Sequence, residues 1–195
     1  MTNTFRLSDP YDVMRAPRLR DRNAARVRLF VGEAPRGDIC YSRCMAKPLF
    51  TIGYEHATTR AMLDELSHAK VDLVIDVRAV SSSRRPGFSK RQLAAGLDER
   101  GIGYLHLRAL GTPKEGRLAA RAGKRDELFR IFEKHLRTPE AREELDELAT
   151  LAKSGRRLCL LCYERDPEGC HRRRVAELIH ERTGAKVENL FCAPV

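Results

Sequence analysis

Residues that could do chemistry are concentrated in one stretch, LCLLCYERDPEGCHRRRVAELI, at positions 158–179. Cys159, Cys162, Cys170 and His171 are side chains that zinc accepts as ligands. Cys159 and Cys162 lie three positions apart in an apolar run that predicts a strand, so their side chains point to opposite faces. We therefore expect Cys159 in the core and assign no metal. A partial metal site made of Cys162, Cys170 and His171 remains an alternative.

Thiol chemistry is a second interpretation of the same stretch. Cys170 lies where a helix is predicted to begin, and a helix start beside His171 and Arg172 lowers the pKa of a thiol. Cys170 and His171 are therefore candidate catalytic groups. The C-x5-R loop of thiol phosphatases is absent around both Cys162 and Cys170. The alternative is that Cys170 packs against the sheet and fixes the turn.

Three carboxylates fall near the ends of different predicted strands, namely Glu55, Asp76 and Glu164. If they converge, they could supply a general acid and base or hold Mg²⁺ through oxygen ligands. Asp76 and Glu164 are candidate catalytic residues on this ground. The alternative is that they pair with Arg78 and neighbouring arginines. His106 has the same ambiguity between proton transfer and a structural role.

Binding of an anion draws on more positions than the other interpretations. Backbone N–H groups at 169–172 would point out of the predicted helix start, and Arg78, Arg84, Arg85 and Arg172 could add charge-assisted hydrogen bonds to a phosphate. No G-x-G-x-x-G and no Walker loop is present. The pattern therefore differs from an ordinary dinucleotide or P-loop site.

The elements that must position these residues are short apolar runs that alternate with helical patterns from residue 49 onward. This alternation predicts a three-layer α/β/α domain with a mostly parallel sheet of about five strands, of Rossmann-like or flavodoxin-like topology. The five predicted strands are LFTIGY, VDLVIDVRAV, IGYLHLRAL, RLCLLCYE and AKVENLF. Right-handed crossovers place the carboxyl ends of all the strands at one edge, where ligands bind in open α/β folds.

Five helices are predicted between and after these strands. Their apolar positions are Met62, Leu66 and Ala69 in the first, Leu93 and Leu97 in the second, Leu128, Phe132 and Leu136 in the third, Ala141, Leu145, Leu148 and Ala152 in the fourth, and Val175, Leu178 and Ile179 in the last. A capping box from Ser89 to Gln92 is expected to start the second helix. Thr138 as N-cap and Pro139 in the first turn are expected to start the fourth.

Composition bounds the class of protein. The net charge is +10, from 37 basic and 27 acidic residues in 195. No stretch suits a membrane span or a secretion signal, so we expect a cytoplasmic protein with reduced cysteines and no membrane partner. Residues 1–45 are expected to form a disordered basic arm, or to precede a true start at Met45. Residues 46–195 are expected to form a single α/β domain.

Four ordered segments resemble a known family. The segments TIGYEHATTRAMLDEL, LVIDVRAVSSSRRPGFSKRQLAAGL, GIGYLHLRALGTPKE and LCYERDPEGCHRRRVAELI are similar to the signature segments of the bacterial and archaeal domain of unknown function 488 (DUF488). The resemblance spans about residues 49–191. It implies a compact three-layer α/β domain with its polar positions at the ligand edge of the sheet, but it implies no reaction.

The resemblance also implies which positions matter. One departure is His56, where relatives commonly carry a small residue, and it could narrow the pocket or add a donor. The matching positions are Gly53, Tyr54, Glu55, Asp76, Arg78, Ser83, Arg84, Phe88, Tyr104, Leu110, Gly111, Cys162, Glu164, Cys170, His171 and Arg172. Among them, the residues expected to bind ligand are Tyr54, Glu55, Arg78, Arg84, Phe88, Gly111, Cys162 and Arg172.

The sequence therefore favours an Arg-rich site that binds a phosphate-bearing small molecule or nucleotide and that could be catalytic. A non-catalytic module that binds nucleic acid or protein is the alternative, because the first 45 residues and the last helix start are rich in arginine. A zinc or thiol redox protein ranks last. The cofactor is left open.

Overall fold

A computed structural model describes residues 47–193, so the expectations for residues 1–45 lie outside the described part. Within that part, five strands form one sheet in which every neighbouring pair is parallel. Their order across the sheet is β3-β2-β4-β1-β5. The strands are β1 (Leu49–Gly53), β2 (Leu73–Asp76), β3 (Gly103–His106), β4 (Leu158–Cys162) and β5 (Val187–Leu190).

Six α-helices connect or follow these strands, and the predicted three-layer α/β fold is confirmed. They are α1 (Thr59–His68), α2 (Lys90–Asp98), α3 (Lys114–Arg121), α4 (Arg125–His135), α5 (Pro139–Lys153) and α6 (His171–Thr183). The buried residues of α1 and α2 pack on one face of the sheet, and those of α4, α5 and α6 pack on the other. Within the described residues, no helix is both long enough and apolar enough to span a membrane.

The strand order explains why the helices divide in this way. The chain moves in one direction along the sheet from β1 to β3, and in the opposite direction from β3 to β5. Right-handed crossovers in opposite directions must run over opposite faces. As a result, β4 lies between β1 and β2, which distinguishes this sheet from the 3-2-1-4-5 and 2-1-3-4-5 orders of common doubly wound folds.

Alternation along β4 separates two cores. Leu158 and Leu160 belong to the core under α4, α5 and α6, while Cys159 and Leu161 belong to the core under α1 and α2. Cys159 is fully buried, as predicted from its position in the strand. The next residue, Cys162, returns to the α6 side and ends the strand beside the ligand edge of the sheet.

The structure contains one of the two predicted helix caps and lacks the other. Thr138 accepts from the Ala141 N–H and Pro139 follows it in the first turn, as expected. Ser89 is the N-cap of α2, but its side chain makes no cap hydrogen bond. The predicted capping box is therefore wrong, because the Ser89 hydroxyl bonds the main chain of Ser83 instead.

Helix α3 is the one α-helix that the sequence patterns missed. Its sequence, KEGRLAAR, buries only Gly116 and Ala119, and its one large apolar side chain, Leu118, is 53% exposed. Such a helix shows almost no apolar periodicity. It packs against α4, and the two helices together form one side of the site.

Candidate functional site

The candidate site lies where the loop after β4 diverges from the loops after its two neighbours. The chain leaves β4 toward the face covered by α6, whereas it leaves β1 and β2 toward the face covered by α1 and α2. Divergent loops at the carboxyl ends of adjacent parallel strands open a crevice. A cleft of about 900 Å³ occupies this position.

The floor of the cleft holds four reactive side chains, which we call the thiol cluster: Cys162, Glu164, Cys170 and His171. The Oε2 atom of Glu164 lies 3.0 Å from the Sγ atoms of both Cys162 and Cys170. The Nδ1 atom of His171 lies 3.8 Å from each of the same two sulfurs. Both cysteines and the histidine are buried, and Glu164 is partly exposed. The cluster is therefore compact and opens to the cleft on one side.

The electrostatics of the thiol cluster follow from burial and mutual contact. Burial raises the pKa of Glu164 to about 7. The hydrogen bond to Cys170 and burial raise the pKa of Cys162 well above its ordinary value. Burial opposes ionisation of Cys170, but the bond with Cys162 and the adjacent His171 lower its pKa well below the ordinary value. Burial also opposes protonation of His171, yet the Cys170 sulfur raises its pKa.

Arg172 holds the loop that carries Glu164. Its side chain is fully buried and donates to the hydroxyl of Thr51 and to the main-chain oxygens of Glu164 and Arg165. Arg172 is not among the residues that line the cleft, so its guanidinium supports the loop from behind the cleft surface.

A second buried group fixes the loop after β2. Arg78 donates through Nε and Nη2 to the two carboxylate oxygens of Asp76, at 2.8 and 2.6 Å, and through Nη1 to the hydroxyl of Tyr54 and the carbonyl of Phe88. Tyr104 donates to Asp76 at 2.6 Å. Asp76 is fully buried in this network. Its carboxylate therefore bonds Arg78 and Tyr104 and does not line the cleft.

Aromatic and glycine contacts complete the framework. The ring of Phe88 stacks on Tyr54 with centroids 4.2 Å apart, and Phe88 is buried behind it. A Cβ atom at Gly111 would lie 2.1 Å from the nitrogen of Ala79, so glycine lets the two loops touch. His106 donates from Nε2 to the carbonyl oxygen of Arg78 at 2.8 Å. Phe88, Gly111 and His106 thus support the cleft from behind its surface.

Arginines form the two walls of the cleft. One wall is the loop after β2, with Arg84 and Arg85, and the other is formed by α3 and the start of α4, with Arg117, Arg121 and Arg125. Arg85 donates to the Ala57 carbonyl and Arg117 to the Thr112 carbonyl. The remaining three guanidinium groups bond no side chain or carbonyl of the described residues. We call these five residues the arginine walls.

The structure brings together many, but not all, of the residues singled out from the sequence. The three carboxylates do not converge: Glu55 and Glu164 both line the cleft but bond different partners, and Asp76 is buried behind its surface. The predicted residues that line the cleft are Tyr54, Glu55, Arg78, Arg84, Cys162, Glu164 and His171. Those behind its surface are Asp76, Phe88, Gly111, Cys170 and Arg172.

Arg117, Arg121 and Arg125 were missed from the sequence because α3 was missed. Arg117 and Arg121 lie on α3, and their spacing of four residues was the available signal, since residues four apart on a helix share a face. Arg125 begins α4 after a break in the helix, so no spacing pattern could place it on the same wall.

The comparisons with known proteins identify a family and nothing narrower. The model of the family described as "Domain of unknown function DUF488" matches residues 58–179. The matched range includes the loop after β2, both walls of the cleft and all four members of the thiol cluster. No curated protein and no solved structure shows significant similarity to the chain.

Proposed function

The chain belongs to the DUF488 family, whose name assigns no activity, and we propose that it binds a phosphate-bearing small molecule between the arginine walls. A nucleotide is one such molecule. The ligand would lie above the thiol cluster, and the cluster would face one end of the ligand.

The charge of the cleft is the observation that carries this proposal. The five guanidinium groups of the arginine walls face three lining carboxylates, Glu55, Glu164 and Asp166. Of these, Glu164 is partly protonated near neutral pH because burial raises its pKa to about 7. An excess of guanidinium groups, on both sides of one cavity, suits the planar oxygens of a phosphate or carboxylate.

The size of the cleft favours a small molecule over a duplex. Its volume of about 900 Å³ lies within the range of about 300–1,000 Å³ that is typical of small-molecule sites. Exposed Tyr163 stands at the cleft and contacts Tyr54 edge to face, which offers an aromatic surface beside the arginines. A base or another planar group could pack there while the phosphate meets the guanidinium groups.

The experiment is a binding series on the full chain. Inorganic phosphate, pyrophosphate, nucleoside mono-, di- and triphosphates and the uncharged nucleosides are compared by thermal shift, and positive compounds are then titrated by calorimetry. We expect phosphorylated compounds to raise the melting temperature and nucleosides to leave it unchanged. The absence of any shift with every phosphorylated compound would contradict the proposal.

Matched variants locate the binding. The double variant Arg121→Glu/Arg125→Glu reverses two wall charges and should weaken binding at least about tenfold, because each charge-assisted hydrogen bond is worth roughly 1.5–3 kcal/mol. Arg142→Glu, an exposed arginine on α5 outside the cleft, makes the same type of change and should bind like the parent. Equal weakening by both would indicate a general charge effect and no binding in the cleft.

Nucleic acid is tested in the same series. A single-stranded oligonucleotide that binds much more tightly than its mononucleotide, with a steep dependence on salt, would favour the nucleic-acid module over the small-molecule site. We expect affinity to depend on the phosphate number of one nucleotide and to change little with strand length.

A further inference from the structure

We infer that Cys162, Cys170 and His171 form a binding site for Zn²⁺ with two sulfur ligands and one nitrogen ligand, and that the fourth position on the ion opens toward the cleft. This site stands independently of the anionic ligand proposed above. It replaces the sequence-based assignment of no metal with the partial site of Cys162, Cys170 and His171 that the sequence left as an alternative. Glu164, two residues after the end of β4, lies beside this site, with its Oε2 atom 3.0 Å from both sulfurs.

The distances suit a common central ion. The candidate atoms of Cys162, Cys170 and His171 all lie within 4.8 Å of one another. The two sulfurs are equidistant from the His171 Nδ1 atom, at 3.8 Å, and from the Glu164 Oε2 atom, at 3.0 Å. Tetrahedral zinc with Zn–S of about 2.3 Å and Zn–N of about 2.0 Å separates sulfur from nitrogen by about 3.5 Å. For the two sulfurs and the His171 nitrogen, shifts of a few tenths of an ångström would therefore bring the S–N distances to those of a zinc site.

His171 is already oriented as a ligand. Its Nε2 atom donates to the main-chain carbonyl oxygen of Val77 at 2.8 Å, so that in the neutral ring Nδ1 carries a free lone pair directed at the sulfurs. A hydrogen bond from the second ring nitrogen to a carbonyl is the usual outer-shell support of a zinc-bound histidine. The ring also packs edge to face on Phe132, with centroids 5.1 Å apart, which limits its rotation.

The other ligands are held by equally rigid parts of the fold. Cys162 ends the central strand β4, and Cys170 is the N-cap residue of α6. Arg172 also holds the loop that places Glu164 beside them. The three ligand atoms are therefore positioned before any ion arrives, which lowers the cost of ordering them.

Charge gives a further reason for a cation. Two thiols and a carboxyl meet within one buried cluster, and burying their ionised forms together is costly without a positive partner. A divalent cation would balance most of that charge. Cys162, Glu164 and His171 line the cleft, so an ion can enter from it.

The first test is metal content. The full chain, with Cys40→Ser and Cys44→Ser to remove the thiols outside the described residues, is stripped with a chelator under reducing conditions, exposed to Zn²⁺ and desalted. We expect one bound zinc per chain. Cys170→Ser and His171→Gln should each weaken binding at least about 100-fold, whereas Cys192→Ser, which removes a buried thiol elsewhere, should bind like the parent.

Two measurements keep the test decisive if a variant misfolds. Co²⁺ added to the stripped parent chain should give the visible bands of a tetrahedral site and a thiolate charge-transfer band. Zn²⁺ should slow alkylation of Cys162 and Cys170, but not of Cys192, and a chelator should restore the rate. Substoichiometric zinc, alkylation that zinc does not slow, or zinc content unchanged in folded Cys170→Ser would each overturn the inference.

Discussion

The imidazole of His171 donates from Nε2 to the main-chain carbonyl oxygen of Val77 at 2.8 Å, and this bond joins the start of α6 to the loop after β2. The thiol cluster and the wall that carries Arg84 and Arg85 are therefore parts of one framework. A change that moves one loop should therefore also displace the other.

The Glu164 carboxyl should make stability depend on pH in the metal-free chain. Burial raises its pKa from 4.5 to about 7 in the folded state, so the folded state favours the protonated form. The carboxyl contributes fully to the free energy of unfolding below about pH 4.5. This contribution, up to about 3 kcal/mol, is lost as the pH rises through about 7. Urea unfolding at a series of pH values, with chelator present, measures this in the parent chain and in Glu164→Gln.

The difference between parent and variant isolates this group. We expect the free energy of unfolding of the parent to fall relative to that of Glu164→Gln between pH 5 and 8, since glutamine does not titrate. A constant difference across this range would mean that the Glu164 carboxyl is not desolvated as the structure shows.

The Asp76–Arg78 pair should be essential for stability. Arg78→Met removes one partner of a buried ion pair and leaves the Asp76 carboxylate with only Tyr104 and the Arg78 N–H as partners. Such a loss typically costs about 3–5 kcal/mol. The measurement is the free energy of unfolding in urea, and the double variant Asp76→Asn/Arg78→Met should recover part of the loss. A cost below about 1 kcal/mol, as for an exposed pair, would contradict the assignment.

Gly53 should be required where β1 meets the loop of Glu164. A Cβ atom there would lie 1.7 Å from the carbonyl oxygen of Glu164, so Gly53→Ala must displace main chain. We expect a loss of at least about 2 kcal/mol in the free energy of unfolding, together with weaker zinc binding. Gly96→Ala is the matched control, because it meets only the flexible Leu63 side chain at 3.3 Å within α2.

The control should be neutral or slightly stabilising, since alanine favours a helix over glycine by about 1 kcal/mol. If Gly53→Ala unfolds at the same urea concentration as Gly96→Ala, the main chains at Gly53 and Glu164 do not approach each other as closely as the structure shows.

Much of the fold could be predicted from the sequence because local patterns report burial. The five strands follow apolar runs, and the removal of Cys159 from the cluster follows from alternation along β4. Helix α3 could not be predicted in this way, because it buries only Gly116 and Ala119. Its place is determined by contact with α4, which is a tertiary interaction.

The candidate site was harder to predict because residue type does not reveal which way a charged side chain turns. Arg84 and Arg172 look alike in the sequence, yet one lines the cleft and the other is buried among main-chain oxygens. The contact of Glu164 with both thiols likewise depends on how the loop after β4 folds back over the strand end. These roles are decided by the atoms that each side chain contacts in the folded structure.

The most direct test of the proposed binding site is the position of a bound anion. Crystals of the full chain soaked in tungstate, a heavy mimic of phosphate, would locate it by anomalous scattering. We predict a tungstate between the arginine walls, within hydrogen-bond distance of guanidinium groups from both the loop with Arg84 and Arg85 and the helices with Arg121 and Arg125. Tungstate found at other surface sites with none in the cleft would contradict the account.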